Sequence, residues 1–234
     1  MSSALHRATA LVVALALLVP ATASARRSGR ILATGDSMIQ ILDGFLAQKV
    51  RSQHFRVRRD EHIGTGITKP FQLDWPAHVR KLARAYRPAA SVVFLGANDG
   101  FPLPYGGKQR QCCSRPWRKA YARRARTMMH SLERGGAARV YWLTLPAARP
   151  RTFDHIYRSV NLALRSAARR EGDGVRLLDM GRVFTPSGRF QSTIVRAGHR
   201  VAVRQPDGIH LNVAGARIAA QVVVRNMRRD HLFR

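Results

Sequence analysis

The chain has 234 residues and carries 41 Lys+Arg against 13 Asp+Glu, a formal charge of +28; only five of the cations are lysines. The length suits one domain with a full hydrophobic core. The two cysteines are adjacent and no Cys/His spacing has the pattern of a zinc site, which argues against a zinc-held module.

The first 25 residues read as a secretory leader. His6 and Arg7 give a weakly basic start, and Ala10–Val19 is an apolar run too short to span a bilayer. Pro20 breaks the run, and Ala23-Ser24-Ala25 has the small-x-small form of a cleavage site. The expectation is a cleaved leader over 1–25, an extracytoplasmic mature protein over 26–234 and a single domain there. An uncleaved N-terminal anchor is the competing reading. Loss of Arg7 with the leader would change the charge only to +27.

Strand-like and helix-like runs then alternate. Arg30–Thr34 is a short apolar strand, followed by a helix from Met38 to about Arg51, a strand at Phe55–Arg59 and a Gly-rich loop at Ile63–Ile67. Asp74 as N-cap and Pro76 in the first turn open a helix that runs to Tyr86. Ser91–Leu95 is continuously apolar, as a central parallel strand is. Gly96–Pro116 reads as a long loop, and loops of that length in compact domains tend to carry function or motion. The neighbouring Cys112 and Cys113 in it leave free thiols, a vicinal disulfide and bridging between chains all open. Trp117–Arg134 is a helix closed by Gly135-Gly136, and Arg139–Leu145 is a strand. Phe153–Arg170 is an amphipathic helix with Ile156, Val160, Leu164 and Ala167 on one face. Val175–Asp179 is a strand, Gly181–Arg204 is turn-rich and unreadable, and Asn212–Met227 closes the chain as a helix. The alternation predicts an α/β fold with a mainly parallel sheet and helices on both faces, in which ligands bind beyond the carboxyl ends of the strands.

Four pieces of this pattern carry chemistry. Ser37 follows the first strand and precedes a helix, where its N–H faces any anion with the helix dipole behind it. A serine needs a base, and His210 suits because imidazole titrates near neutrality. Asp207, three residues earlier across an Asp-Gly turn, can take the other ring N–H and fix the tautomer. Asn98 ends the central strand and can donate an amide to a developing oxyanion, and Gly64 can offer its backbone N–H. Taken singly, each also fits an ordinary cap, turn or loop. Asp36 and Asp99 read as structural.

In the order Ser37, Gly64, Asn98, Asp207–His210, the chain resembles the SGNH (GDSL-like) hydrolase superfamily. Asp74-Trp75-Pro76, Gly96-Ala97-Asn98-Asp99, Tyr141-Trp142-Leu143 and Asp207-Gly208-Ile209-His210-Leu211 are similar to its exported bacterial branch long labelled a domain of unknown function. The resemblance covers nearly all of Arg30–Val224. It implies a three-layer flavodoxin-like fold and acyl-ester hydrolysis or transfer with no metal or organic cofactor. In it Ser37, Asp207 and His210 are catalytic, and Ser37, Gly64 and Asn98 form the oxyanion hole. Gly66 competes with Gly64 for the donor role, and Met38 stands where leucine is common. The implied substrate is an acyl ester, O-acetylated envelope glycans foremost. An O-acyltransferase using the same serine and a non-catalytic cationic envelope-binding protein are the alternatives. The arginines are scattered along the sequence, so the expectation is unspecific binding to anionic envelope polymers and no specific nucleic-acid partner.

Overall fold

The computed structural model describes residues 29–233; the leader expected over 1–25 lies outside them. Five strands form one parallel sheet: β1 (Gly29–Gly35), β2 (Phe55–Glu61), β3 (Ala90–Phe94), β6 (Arg139–Leu143) and β7 (Val175–Leu178), in the order β2-β1-β3-β6-β7. Every residue of β3 is buried, which is why its sequence is apolar without alternation.

The helices follow from this order. Helix α1 (Leu42–Val50) joins β1 to β2 in one direction across the sheet. α2 (Trp75–Tyr86), α3 (Arg115–Glu133) and α4 (Arg151–Ala168) carry the chain the opposite way. Right-handed crossovers therefore put α1 on one face and α2, α3 and α4 on the other. The last helix, α6 (Val213–Arg229), packs beside α1, while α3 packs between α2 and α4. The result is the three-layer, doubly wound architecture expected from the alternation. The core between the layers holds Trp75, Trp117, Trp142, Tyr121 and Phe94, all fully buried.

Local sequence sets the helix ends. Asp74 accepts the Ala77 N–H at 3.1 Å with Pro76 in the first turn, Ser114 accepts the Trp117 N–H at 3.4 Å, and Asn212 accepts the Gly215 N–H at 2.9 Å. Helix α3 ends on Arg134 in the left-handed region, with Gly135 and Gly136 continuing it.

Three stretches differ from the sequence expectation. The helix after β1 starts at Leu42 rather than Met38, because the Asp36 carboxylate takes the Met38 N–H at 2.9 Å and holds residues 37–41 in turns. The stretch Gly96–Pro116 contains a hairpin, β4 (Leu103–Tyr105) with β5 (Lys108–Arg110), turned by Gly106-Gly107 with both φ positive. The unread stretch Gly181–Arg204 follows a short helix, α5 (Met180–Phe184), into the hairpin β8 (Thr193–Arg196) and β9 (His199–Ala202). Cys112 and Cys113 form a vicinal disulfide, one of the three states left open. No helix among the described residues is long and apolar enough to cross a membrane.

Candidate active site

The carboxyl ends of β1, β2 and β3 deliver three loops to one edge of the sheet, and the β9–α6 connection reaches the same place. A cavity of about 350 Å³ opens there, lined by Ser37, Gly64, Asn98 and His210 with Met38, Ile41, Ile63 and Leu211 among the apolar walls. Ser37 Oγ lies 2.8 Å from His210 Nε2, and His210 Nδ1 lies 2.5 Å from Asp207 Oδ2. Asp207 is also the acceptor for the Ile209 and His210 N–H groups, at 2.8 and 3.1 Å. Burial alone would raise this carboxyl. The bond from the His210 ring and the two N–H bonds outweigh it and hold Asp207 below its ordinary value.

The donor side is set by Asp36. Fully buried, it accepts the N–H groups of Met38, Gly96 and Ala97 at 2.9, 2.9 and 2.8 Å, and so ties the serine turn to the loop after β3. Burial pushes its carboxyl up to about 6 despite those three bonds. Asn98 gives an amide hydrogen to Thr65 O at 3.1 Å, which fixes its orientation against the glycine loop. Neither the Ser37 nor the Gly64 N–H donates to a partner among the described residues. The two candidate glycines separate clearly. Gly64 lines the cavity at φ +77° with open space where a Cβ would be. Gly66 lies against Asp99, whose Oδ1 would stand 2.6 Å from a Cβ there. Asp99 is itself buried, accepting the Thr68 N–H and Oγ1 and the Tyr121 hydroxyl, which is the structural part read for it.

Two supports escaped the sequence. Arg204, only 6% exposed, donates to Ala147 O, Gly208 O and Ile209 O at 2.8–3.0 Å and so clamps the turn carrying Asp207 and His210. Burial pushes its guanidinium down to about 10. Arg149 braces the same turn, its N–H donating to Gly208 O and its guanidinium to Pro206 O. On the other side, Asp60 at the end of β2 bonds Thr34, His62 and His78, and Trp75 Nε1 donates to Thr65 Oγ1. These contacts hold the loop that bears Gly64. His78 and Thr34 outweigh the burial that would raise the Asp60 carboxyl and lower it to about 2. Asp60, His62 and His78 bring metal-ligating atoms together, as do His130, Glu133 and Glu171 on the α3 face. Asp60 already accepts from Thr34 and lies within hydrogen-bond distance of both its histidines, and Glu171 accepts from Arg126.

Residues 30–226 match the family described as "Protein of unknown function (DUF459)", and the chain belongs to that family. No curated protein matches it. Among solved structures it is similar to a member of the lipolytic protein G-D-S-L family from Veillonella parvula, at 14% identity and TM-score 0.52 over 86% of this chain and 98% of that one. It is likewise similar to the C-terminal catalytic domain of a peptidoglycan O-acetyltransferase from Streptococcus pneumoniae: 14% identity, TM-score 0.53, 86% and 94% of the two chains. A family two carbohydrate esterase from Clostridium thermocellum in complex with cellohexaose aligns at 14% identity and TM-score 0.55 over 88% and 65%. The fold is thus that of the SGNH (GDSL-like) hydrolases.

Proposed function

We propose that the protein is a serine ester hydrolase that works through an acyl-serine intermediate. The observation that carries this is the unbroken relay Ser37–His210–Asp207 opening into the cavity that Gly64 and Asn98 also line. The Ser37 proton passes to His210 Nε2 as Oγ attacks the ester carbonyl carbon. The tetrahedral oxyanion takes hydrogen bonds from the Ser37 and Gly64 N–H groups and the second amide hydrogen of Asn98. Asp207 stabilises the imidazolium and keeps Nδ1 protonated. His210 then gives its Nε2 proton to the departing alkoxide, and the acyl group stays on Ser37. Water, deprotonated by His210, attacks the acyl carbon; the carboxylic acid leaves and Oγ regains its proton.

The cavity is small, about 350 Å³, with polar and apolar walls mixed, which supports a short acyl group over a long chain. O-acetyl esters of carbohydrates, and of an envelope glycan in particular, fit that size and the names of the similar structures, one a peptidoglycan O-acetyltransferase and one a carbohydrate esterase. Transfer to a sugar hydroxyl would use the same first half-reaction, with the sugar oxygen in place of water.

The deciding measurement is turnover of a chromogenic acetyl ester by the purified protein. Ser37→Ala should abolish it with the fold intact by circular dichroism, and a serine-reactive sulfonyl reagent should label Ser37 alone. Full activity in Ser37→Ala would end this mechanism.

A further inference from the structure

The arginines that look dispersed in the sequence are gathered by the fold. On α2, Arg80, Arg84 and the capping Arg87 follow one another at helical spacing along one stripe. On α3, Arg123, Arg126 and Arg134 form a second stripe, with His130 between them. The two stripes face each other across an open groove of about 1010 Å³. One acid sits in it, Glu171. It pairs with Arg126 Nε at 2.5 Å and lies 3.4 Å from His130 Nδ1. Arg80, Arg84, Arg87 and Arg123 have no acidic partner among the described residues, and all four are exposed. Like charges at this spacing repel, and no carboxylate among the described residues pairs with these four; Arg123 alone leans on an aromatic ring, that of Tyr105.

We propose that the α2–α3 groove is a docking site for a linear polyanion, a flexible phosphodiester chain without bases. Guanidinium forks match phosphate oxygens two at a time, and two facing rows present such forks along a line rather than at one point. Besides arginine, the groove is lined by alanine, serine, threonine, glycine, Glu171 and His130; no Phe, Tyr or Trp lines it, and its one ring, His130, lies against Glu171, so nucleobases would gain little there beyond the phosphate contacts. It is concave and presents no large apolar side chain for insertion into lipid, which disfavours a bilayer. Helix α2 begins at the site edge of the sheet and runs away from it. The groove follows its second half, so a polymer held there leaves the Ser37 cavity open. The site is independent of the reaction at Ser37.

The test measures binding of fluorescent poly(glycerol phosphate) to the purified protein across ionic strength. Replacing Arg80, Arg84 and Arg87 together by Gln should raise Kd about tenfold or more and flatten its dependence on salt. An equal charge change on the opposite face, Arg225→Gln with Arg228→Gln and Arg229→Gln on α6, should raise Kd less than about threefold. The single variant Arg84→Glu should fall on the side of the first set, and Ser37→Ala should bind like the parent. Equal losses from the two triple variants would overturn the proposal, because attraction would then be a property of net charge. Tighter binding of a single-stranded oligonucleotide of matched charge, or of phosphatidylglycerol vesicles, would overturn the choice of polymer.

Discussion

Asn98 has two amide hydrogens, and the structure commits one of them to Thr65 O. The other is left for the cavity, and its use there rests on the proposed mechanism. Asn98→Ala should then lower kcat by about 10²–10³-fold with KM little changed, since the bond would form to the oxyanion and not to the ground-state carbonyl. Steady-state kinetics on the acetyl ester checks this, and a rise in KM at constant kcat would assign Asn98 to substrate binding instead. At this scale the sequence was informative where residue type narrows the chemistry. Ser37, His210 and Asp207 each fit an ordinary cap or turn when taken singly; their order along the chain together with Gly64 and Asn98 marked them, and the structure brings the three within hydrogen-bond distance. Gly64 was preferred over a competing Gly66, but what separates them, the carboxylate of Asp99 pressed against one and not the other, is not visible in the sequence. Arg204 was invisible for the opposite reason. It is one arginine among many, and only burial against three carbonyl oxygens distinguishes it.

The turn between β9 and α6 depends on that arginine. Three carbonyl groups accept from it, and two of them, those of Gly208 and Ile209, lie between Asp207 and His210 in the chain. Arg204→Met would leave those acceptors without their donor and let the turn loosen. A drop of about 10–100-fold in kcat is expected, in line with the cost of small misplacements of catalytic groups, together with faster proteolysis between residues 205 and 209. Arg204→Lys should recover only part of the activity, since an ammonium cannot present a planar fork to acceptors on two segments. Unchanged kcat in both variants would mean the turn holds itself. Elements with strong local signals were legible. The capped helices α2 and α6 and the buried strand β3 were placed from the sequence to within a residue or so at most of their ends. The hairpins β4–β5 and β8–β9 were not. Their strands are three and four residues long, too short for an alternating pattern, and one contains Pro104.

For the molecule as a whole, the carboxyl groups around the site pull stability in opposite directions with pH. Asp60 and Asp207 are lowered by folding, so their contribution is present above the unfolded value near 4 and is lost as pH falls through the folded one. Asp36 is raised to about 6, so its contribution is present below about 4 and is lost as pH rises through 6. Between those values the Asp36 effect alone makes the fold less stable with rising pH, by an amount on the order of 2–3 kcal/mol. Urea unfolding from pH 4 to pH 7 should show this slope in the parent, and Asp36→Asn should flatten it while lowering stability throughout, because an amide cannot accept all three N–H bonds. An identical slope in both proteins would place the titration elsewhere. The sheet order and the helix faces followed from strand–helix alternation and crossover handedness. The charged groove did not, because it joins arginines from helices some forty residues apart.

The bond between Ser37 and His210 closes over 173 residues of chain. On the proposed mechanism, a chain folded only as far as β7 would have its nucleophile and oxyanion donors and still lack a base. Such an intermediate would be inert toward esters until the segment after β9 docks. Ester turnover would then switch on late and all at once during refolding, which makes it a direct clock for completion of the fold.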